Sequence, residues 1–282
     1  MDVSATIAMT VDRLKSVRGV SALVLGGSRA GGTASAASDI DIGIYYDPDS
    51  GLDIADLRLA AAELDDGHRE NLITEIGGWG PWINGGGWLK VNRRPVDWLL
   101  RDRRKVSRVM EQCLGGDITI DYQPGHPHGF VNAIYMAEVA WCKPLWDPSG
   151  IVAELKAKTI PYPAAFRLAL IRTFRWEAAF SLEQAHKGAA KHDLAYTGGC
   201  CFRTVACLNQ LLFALNETYM MNEKGAAAIA DSFAKAPVDY ARRVNGVFAG
   251  IGEDRDRTKQ ALASLHEMLE ETGRLLQGGG LL

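Results

Sequence analysis

Hydrophobic patterning divides the chain into two regimes. In the first, short β-branched or aromatic runs are bounded by turn residues. Val20–Leu25, Ile40–Tyr45, Leu72–Ile76, Trp88–Val91 and Val96–Leu100 predict strands. Ala5–Val17 and Ile54–Leu64 carry apolar residues at helical spacing. The segment GGWGPWINGGGW (Gly77–Trp88) predicts a loop or hairpin connection, because its glycines and proline oppose regular structure. Its three tryptophans either cover a core edge or offer a flat stacking surface.

The second regime is helical. Ala164–Lys187, Phe202–Met221, Glu223–Ala234, Asp239–Phe248 and Arg255–Leu276 predict helices, several of them amphipathic. Pro161 and Pro163 mark a helix start, and Pro237 separates two others. Trp176, Phe180, Phe202, Leu211 and Phe213 are expected in the core. Gly198 and Gly199 cost about 2 kcal/mol of helix propensity, which close helix packing or a helix break would explain. The sheet pattern stops near Asp147–Ile160, so the expected domains are 1–150 and 151–282. The expected fold class is α+β: a mixed sheet flanked by helices, followed by an all-α helical bundle.

Composition narrows the class. Apolar residues make up 47% of the 282 positions, enough for a sizeable core, and the formal net charge is −3. That balance gives no reason to expect a nucleic-acid scaffold or an anionic membrane surface as partner. No uninterrupted apolar run approaches the roughly 18 residues of a membrane span. The N-terminus lacks the basic and apolar regions of a signal peptide. Five cysteines without a CxxC pair read as reduced thiols, and a cytoplasmic location is expected.

The stretch Leu25–Ile44, LGGSRAGGTASAASDIDIGI, carries the chemistry. A hydrophobic strand enters a Gly-Gly-Ser turn, small residues follow, and Asp39 and Asp41 open a second strand. Residues two apart on a strand share a face. Two carboxylates side by side on a half-buried strand are electrostatically costly without a cationic partner. Facing a turn of free backbone N–H groups, they are suited to divalent cations beside a polyphosphate.

GGSRAGGTASAASDIDI resembles the signature of the polymerase-β-type nucleotidyltransferase superfamily. That signature is a Gly-Ser turn, about ten residues, Asp-x-Asp between hydrophobics, and a third carboxylate on a later strand. Here the third is placed at Asp97, in RPVDWLL. The helical second half is similar to that of the two-domain small-molecule nucleotidyltransferases, which include antibiotic-adenylylating enzymes. The resemblance implies two magnesium ions on Asp39, Asp41 and Asp97, with ATP or another NTP as co-substrate. Asp97 is then a metal ligand, the base for the attacking hydroxyl, or both. Gly26, Gly27 and Ser28 would approach the β- and γ-phosphates, with Arg29 also in reach. Arg101 is the best of the arginines near Asp97 for pyrophosphate, and Lys224 is a clamp on the triphosphate from the helical domain.

Other residues carry two readings. Glu75 is an alternative base or a solvent-facing strand residue. His126 and His128, in GHPHGF, belong to a loop that closes over the cleft or contacts substrate, or to a purely structural turn. Asp193 and Tyr196 bind acceptor, or cap a helix and enter the core.

The expected activity is transfer of a nucleoside monophosphate, AMP from ATP by preference, to a hydroxyl of a small molecule, releasing pyrophosphate. No nucleic-acid or membrane partner is expected. Residues 151–282 carry 16 Lys or Arg against 14 Asp or Glu, which weakens a polycationic aminoglycoside as acceptor. The alternatives are a protein-modifying enzyme of the toxin–antitoxin type, disfavoured by the large helical half, and a non-catalytic nucleotide-binding regulator.

Overall fold

The computed structural model describes residues 2–32, 35 and 38–282. Thr33, Ala34, Ala36 and Ala37 of the small-residue stretch, together with Met1, lie outside the described residues. In chain order the elements begin with α1 (Val3–Leu14), β1 (Val20–Leu25), α2 (Gly27–Gly31), β2 (Ile40–Tyr46), α3 (Ile54–Leu64) and α4 (Gly80–Ile83). Next come β3 (Gly86–Val91), β4 (Arg94–Asp102), α5 (Arg103–Leu114), β5 (Ile120–Asp121), β6 (Phe130–Val131), α6 (Ile134–Trp141), β7 (Lys143–Trp146) and α7 (Ile151–Ala157). The remainder is helical: α8 (Ala164–Ala190), α9 (Leu194–Leu215), α10 (Ala226–Asp231), α11 (Tyr240–Gly250) and α12 (Arg255–Gly278). The fold class is α+β.

The chain forms two compact units, Met1–Glu111 with Tyr135–Pro161, and Gln112–Ile134 with Tyr162–Leu282. They do not follow a single cut at residue 150. The short β5–β6 hairpin belongs to the helical unit. The segment after it returns to the sheet, because β7 pairs antiparallel with β1.

The first unit is built on a five-stranded sheet in the order β3-β4-β2-β1-β7. β2 and β4 are parallel, and the other neighbours are antiparallel. Alternation sorts the strand residues onto two faces. Ile40, Ile42 and Ile44 of β2 join Val96, Trp98 and Leu100 of β4 in a core with Leu14 of α1 and Leu57 of α3. The opposite parity places Asp41 and Asp97 on the other face. The β3–β4 hairpin turns on Asn92 and Arg93, both at positive φ (52° and 64°). The Asp66 carboxylate accepts both of their N–H groups (2.8 and 2.7 Å), which holds a conformation that non-glycine residues seldom adopt.

Leu72–Ile76 is not a regular strand. Thr74 N–H donates to the Gly86 carbonyl (2.9 Å) and the Thr74 hydroxyl accepts from Gly86 N–H (3.1 Å), so the segment lies along the outer edge of β3 without a ladder. A Cβ on Gly87 would stand 2.7 Å from the Leu72 carbonyl oxygen, a close approach that glycine permits.

The second unit rests on the α8–α9 pair. A Cβ on Gly188 of α8 would meet the Thr197 hydroxyl of α9 at 2.7 Å, so glycine lets the two helices close. Arg167, in the first turn of α8, donates to the Ala214 and Leu215 carbonyls at the end of α9 (3.0 and 2.8 Å). α9 is long and apolar enough to span a membrane by length and composition, but 72% of its most apolar window is buried within the structure. Leu211 and Phe213 are buried as expected. Trp176 and Phe180 are corrected: they stand 67% and 46% exposed on α8, stacked on each other at 5.0 Å between ring centroids. α9 runs unbroken through Gly198 and Gly199, and nothing lies within 4 Å of where either Cβ would be. Neither a break nor close packing explains that pair.

Candidate active site

Two carboxylates, Asp41 and Asp97, adjoin at one end of the β2–β4 pair, and the charge of a third, Asp39, reaches Asp97. Asp41 and Asp97 are register partners on these parallel strands, so their side chains are lateral neighbours on the same face. Asp39 stands exposed just before β2. Burial, then the charge of Asp41, then that of Asp39, push the Asp97 carboxyl up to about 6. Asp97 thus registers both other acids electrostatically.

The Gly-Gly-Ser turn closes over Asp41. Gly26 N–H donates to the Asp41 carbonyl at 2.8 Å. Gly27 opens α2 at φ +58°, and a Cβ built on it would lie 1.8 Å from Asp41 Oδ2. The Asp41 carboxylate is therefore packed directly on the glycine backbone, with the partly buried Ser28 next in the chain. Arg29 faces the chain itself: its Nε donates to the Asp39 carbonyl (2.9 Å) and its Nη2 to the Ser38 carbonyl. This clamp positions Asp39 rather than leaving the guanidinium open.

The expectation for Arg101 is corrected. Its side chain is 4% exposed and forms a bidentate pair with Glu138 of α6 (2.6 and 2.8 Å). It also donates to the Ile83 and Leu100 carbonyls. Burial pulls its pKa down, and the Glu138 carboxylate more than reverses this. The fork is occupied within the unit and is not available to pyrophosphate. Nearby cations are also engaged: Arg103 pairs with Asp47, Arg104 with Asp49, and Lys105 lies 4.6 Å from the centre of the Trp82 ring. Glu75 is solvent-facing and paired with Arg58 at 2.7 Å.

Within the second unit, Lys224 is exposed in the turn before α10, where its backbone N–H donates to Asn222 Oδ1 (2.9 Å). His128 is buried, and its Nδ1 lies 2.7 Å from Arg203 Nη1. An arginine only donates, so Nδ1 accepts and the ring proton rests on Nε2. Burial, reinforced by Arg203, pushes this histidine down to about 4. His126 Nδ1 lies 3.6 Å from Glu223 Oε2, and Glu223 Oε1 accepts from His128 N–H at 2.9 Å. The two histidines thus tie their loop to the helical unit. Asp193 caps α9 by accepting from Tyr196 N–H (3.0 Å), leaving Tyr196 48% exposed.

Among the described residues, no three His, Cys, Asp or Glu side chains form a group able to hold a metal ion by themselves. The donor set is nonetheless all oxygen, and burial together with the neighbouring carboxylate charge raises Asp97. Those features suit a hard divalent cation that takes its remaining oxygens from phosphate and water.

Residues 7–78 match the family model described as nucleotidyltransferase domain. That segment is similar to nucleotidyltransferase domains. The reaction class that goes with the domain is transfer of a nucleoside monophosphate from an NTP. Among solved structures, the chain is similar to a nucleotidyltransferase-like protein from Exiguobacterium sibiricum 255-15. The identity is 11%, over 97% of this chain and 77% of that one, with a TM-score of 0.45. No curated protein matches the sequence.

The nucleotidyltransferase match includes the Gly-Ser turn and the Asp39–Asp41 pair and ends before Asp97. Strand register sets Asp97 beside Asp41. Sequence reasoning missed Glu138 as the partner of Arg101, since 37 residues separate them and α6 carried no periodic signal. It also missed that Trp88 of β3 is the register partner of Asp97, a relation fixed by the hairpin length.

Proposed function

We propose that the protein transfers a nucleoside monophosphate, AMP from ATP by preference, to a hydroxyl group of a small molecule. The observation carrying this reading is the lateral pairing of Asp41 with Asp97 beside Gly27, with Asp97 raised to about 6 by burial and its acidic neighbours.

In this reading the Gly27 and Ser28 backbone N–H groups and the Ser28 hydroxyl receive the triphosphate tail, while the Gly26 N–H stays on the Asp41 carbonyl. Asp39 and Asp41, joined by Asp97, hold divalent magnesium, which when bound neutralises charge on the triphosphate and on the departing pyrophosphate. Arg29 keeps Asp39 in place through the two backbone carbonyls it grips. The acceptor oxygen attacks the α-phosphorus, the bond to the β-phosphate oxygen breaks, and Asp97 takes the hydroxyl proton. Without a bound cation that carboxyl stands near 6 and is mostly ionised at pH 7, so it can accept a proton.

A cation bound to Asp39 and Asp41 would relieve their repulsion of Asp97 and lower its pKa. Lys224 remains a proposed contact to the triphosphate. An antibiotic is one acceptor class consistent with the resemblance of the helical half.

The experiment is a screen of hydroxylated small molecules with ATP and magnesium, reading pyrophosphate and the mass of the adduct. An adduct heavier by one adenylyl group supports the reading. Adenylylation of a protein in place of every small molecule would favour the protein-modifying alternative. Absence of both pyrophosphate and adduct across the screen, with nucleotide still bound, would favour the regulator.

A further inference from the structure

We propose that Trp88 is the platform on which the acceptor places a flat ring, so the acceptor class is a hydroxyl-bearing molecule with a planar apolar ring. This rests on the reading of the site as a nucleotidyl-transfer centre.

Trp88 lies on β3 as the register partner of Asp97, which is in turn the register partner of Asp41. Register partners share a face and are close neighbours. One row therefore runs across three adjacent strands from Asp41 to Asp97 to Trp88, with Gly27 packed on Asp41 at the far end. The phosphate-facing turn and the indole stand at opposite ends of the row, and the Asp97 carboxyl is between them. In the proposed reaction the attacking hydroxyl meets the triphosphate beside these carboxylates, in the middle of the row. The molecule carrying that hydroxyl then extends toward β3, away from the triphosphate.

The indole is built to receive such a molecule. Trp88 is 63% exposed. One side is backed by Trp79, with ring centroids 4.4 Å apart and planes at 27°. Trp79 is itself seated over Gly86, where a Cβ would stand 2.9 Å from its ring. The backing limits rotation of an indole that otherwise faces solvent. A large aromatic held rigid and open beside reacting groups is a surface for stacking, since planar rings and the apolar faces of rings bury well on indole.

Two sources of a flat ring are conceivable, the acceptor and the nucleobase, and the row assigns the acceptor. The test is indole NMR of the whole protein, with the Trp88 signal identified by its loss in Trp88→Phe. The probes are benzyl β-D-glucoside, which carries hydroxyls and a flat ring, and α,β-methylene-ATP with magnesium. Benzyl glucoside is expected to move the Trp88 signal, and Trp88→Ala to weaken its binding about tenfold or more. Trp88→Phe should recover most of that affinity. Movement with α,β-methylene-ATP but not with the glucoside would give the platform to the base and overturn the assignment. No movement with either probe would overturn the platform. Pyrophosphate release is read separately, across the acceptor screen: a silent Trp88 in an enzyme that releases pyrophosphate sinks only this proposal, whereas a responsive Trp88 with no release from any acceptor of the screen sinks the transfer reading.

Discussion

The Asp41 carboxylate occupies the space that a side chain on Gly27 would fill, with Oδ2 only 1.8 Å from the position of the missing Cβ. Gly27 also holds φ at +58°, where a Cβ is disfavoured. Contact and conformation both bar any other residue. Gly27→Ala is therefore expected to displace Asp41 and reduce pyrophosphate release by at least about tenfold, an amount in keeping with small misplacements of reacting groups. Circular dichroism should show the secondary structure intact. Wild-type release by this variant would separate the turn from the chemistry.

Asp97 links the site to stability. Its carboxyl is near 6 when folded, against about 3.9 for an unperturbed aspartate. Between those values the folded state holds more protons than the unfolded state, so this group makes stability fall as pH rises from about 4 to 6. Asp97→Asn removes the buried charge and is expected to stabilise the ligand-free protein at pH 7 by about 1 kcal/mol, after allowance for solvent screening. At pH 4 it should give no gain. Thermal unfolding at the two pH values checks this, and pyrophosphate release by the same variant should be lost.

Arg101 and Glu138 form a structural pair, and their replacement should act on stability. Arg101→Ala leaves a partly buried carboxylate without its cation and is expected to destabilise by about 3 kcal/mol. Urea unfolding measures the loss. The apparent affinity for α,β-methylene-ATP should be unchanged at temperatures where the variant is folded; a selective loss of nucleotide binding would restore Arg101 to the phosphate site.

Much of this was legible in the residues, and the limits have physical causes. Val20–Leu25 and Ile54–Leu64 emerge with the boundaries their patterns predict, because each carries its own apolar periodicity and clear ends. The Asp39–Asp41 pair was legible because spacing along one strand fixes which way side chains point. Arg101 looked available because sequence cannot show that α6 returns to cover it. The Leu72–Ile76 run has strand composition, but its neighbour β3 begins with glycines that admit an irregular backbone in place of a ladder. Trp176 and Phe180 have core spacing, yet they stand on the exposed face of α8, while Phe174 and Ala178 take the buried one. The division of the chain turns on β7 rejoining β1, a long-range pairing that four residues cannot announce.

Gly188 tests the helical unit by itself. Alanine there would push against Thr197, which is wholly buried. Gly188→Ala is expected to cost about 1–3 kcal/mol through overpacking, despite the better helix propensity of alanine. Chemical denaturation decides between the two effects, and net stabilisation would show that the helix contact yields.

The most direct measurement is manganese binding followed by electron paramagnetic resonance, with α,β-methylene-ATP present, in the wild-type protein and in Asp41→Asn. It requires neither the acceptor nor turnover. The expected result is saturable binding of the ion to the wild type in the presence of nucleotide, and its loss in Asp41→Asn with the fold retained. Equal manganese affinity in the two proteins would contradict a cation–phosphate site built on the Asp39, Asp41 and Asp97 carboxylates.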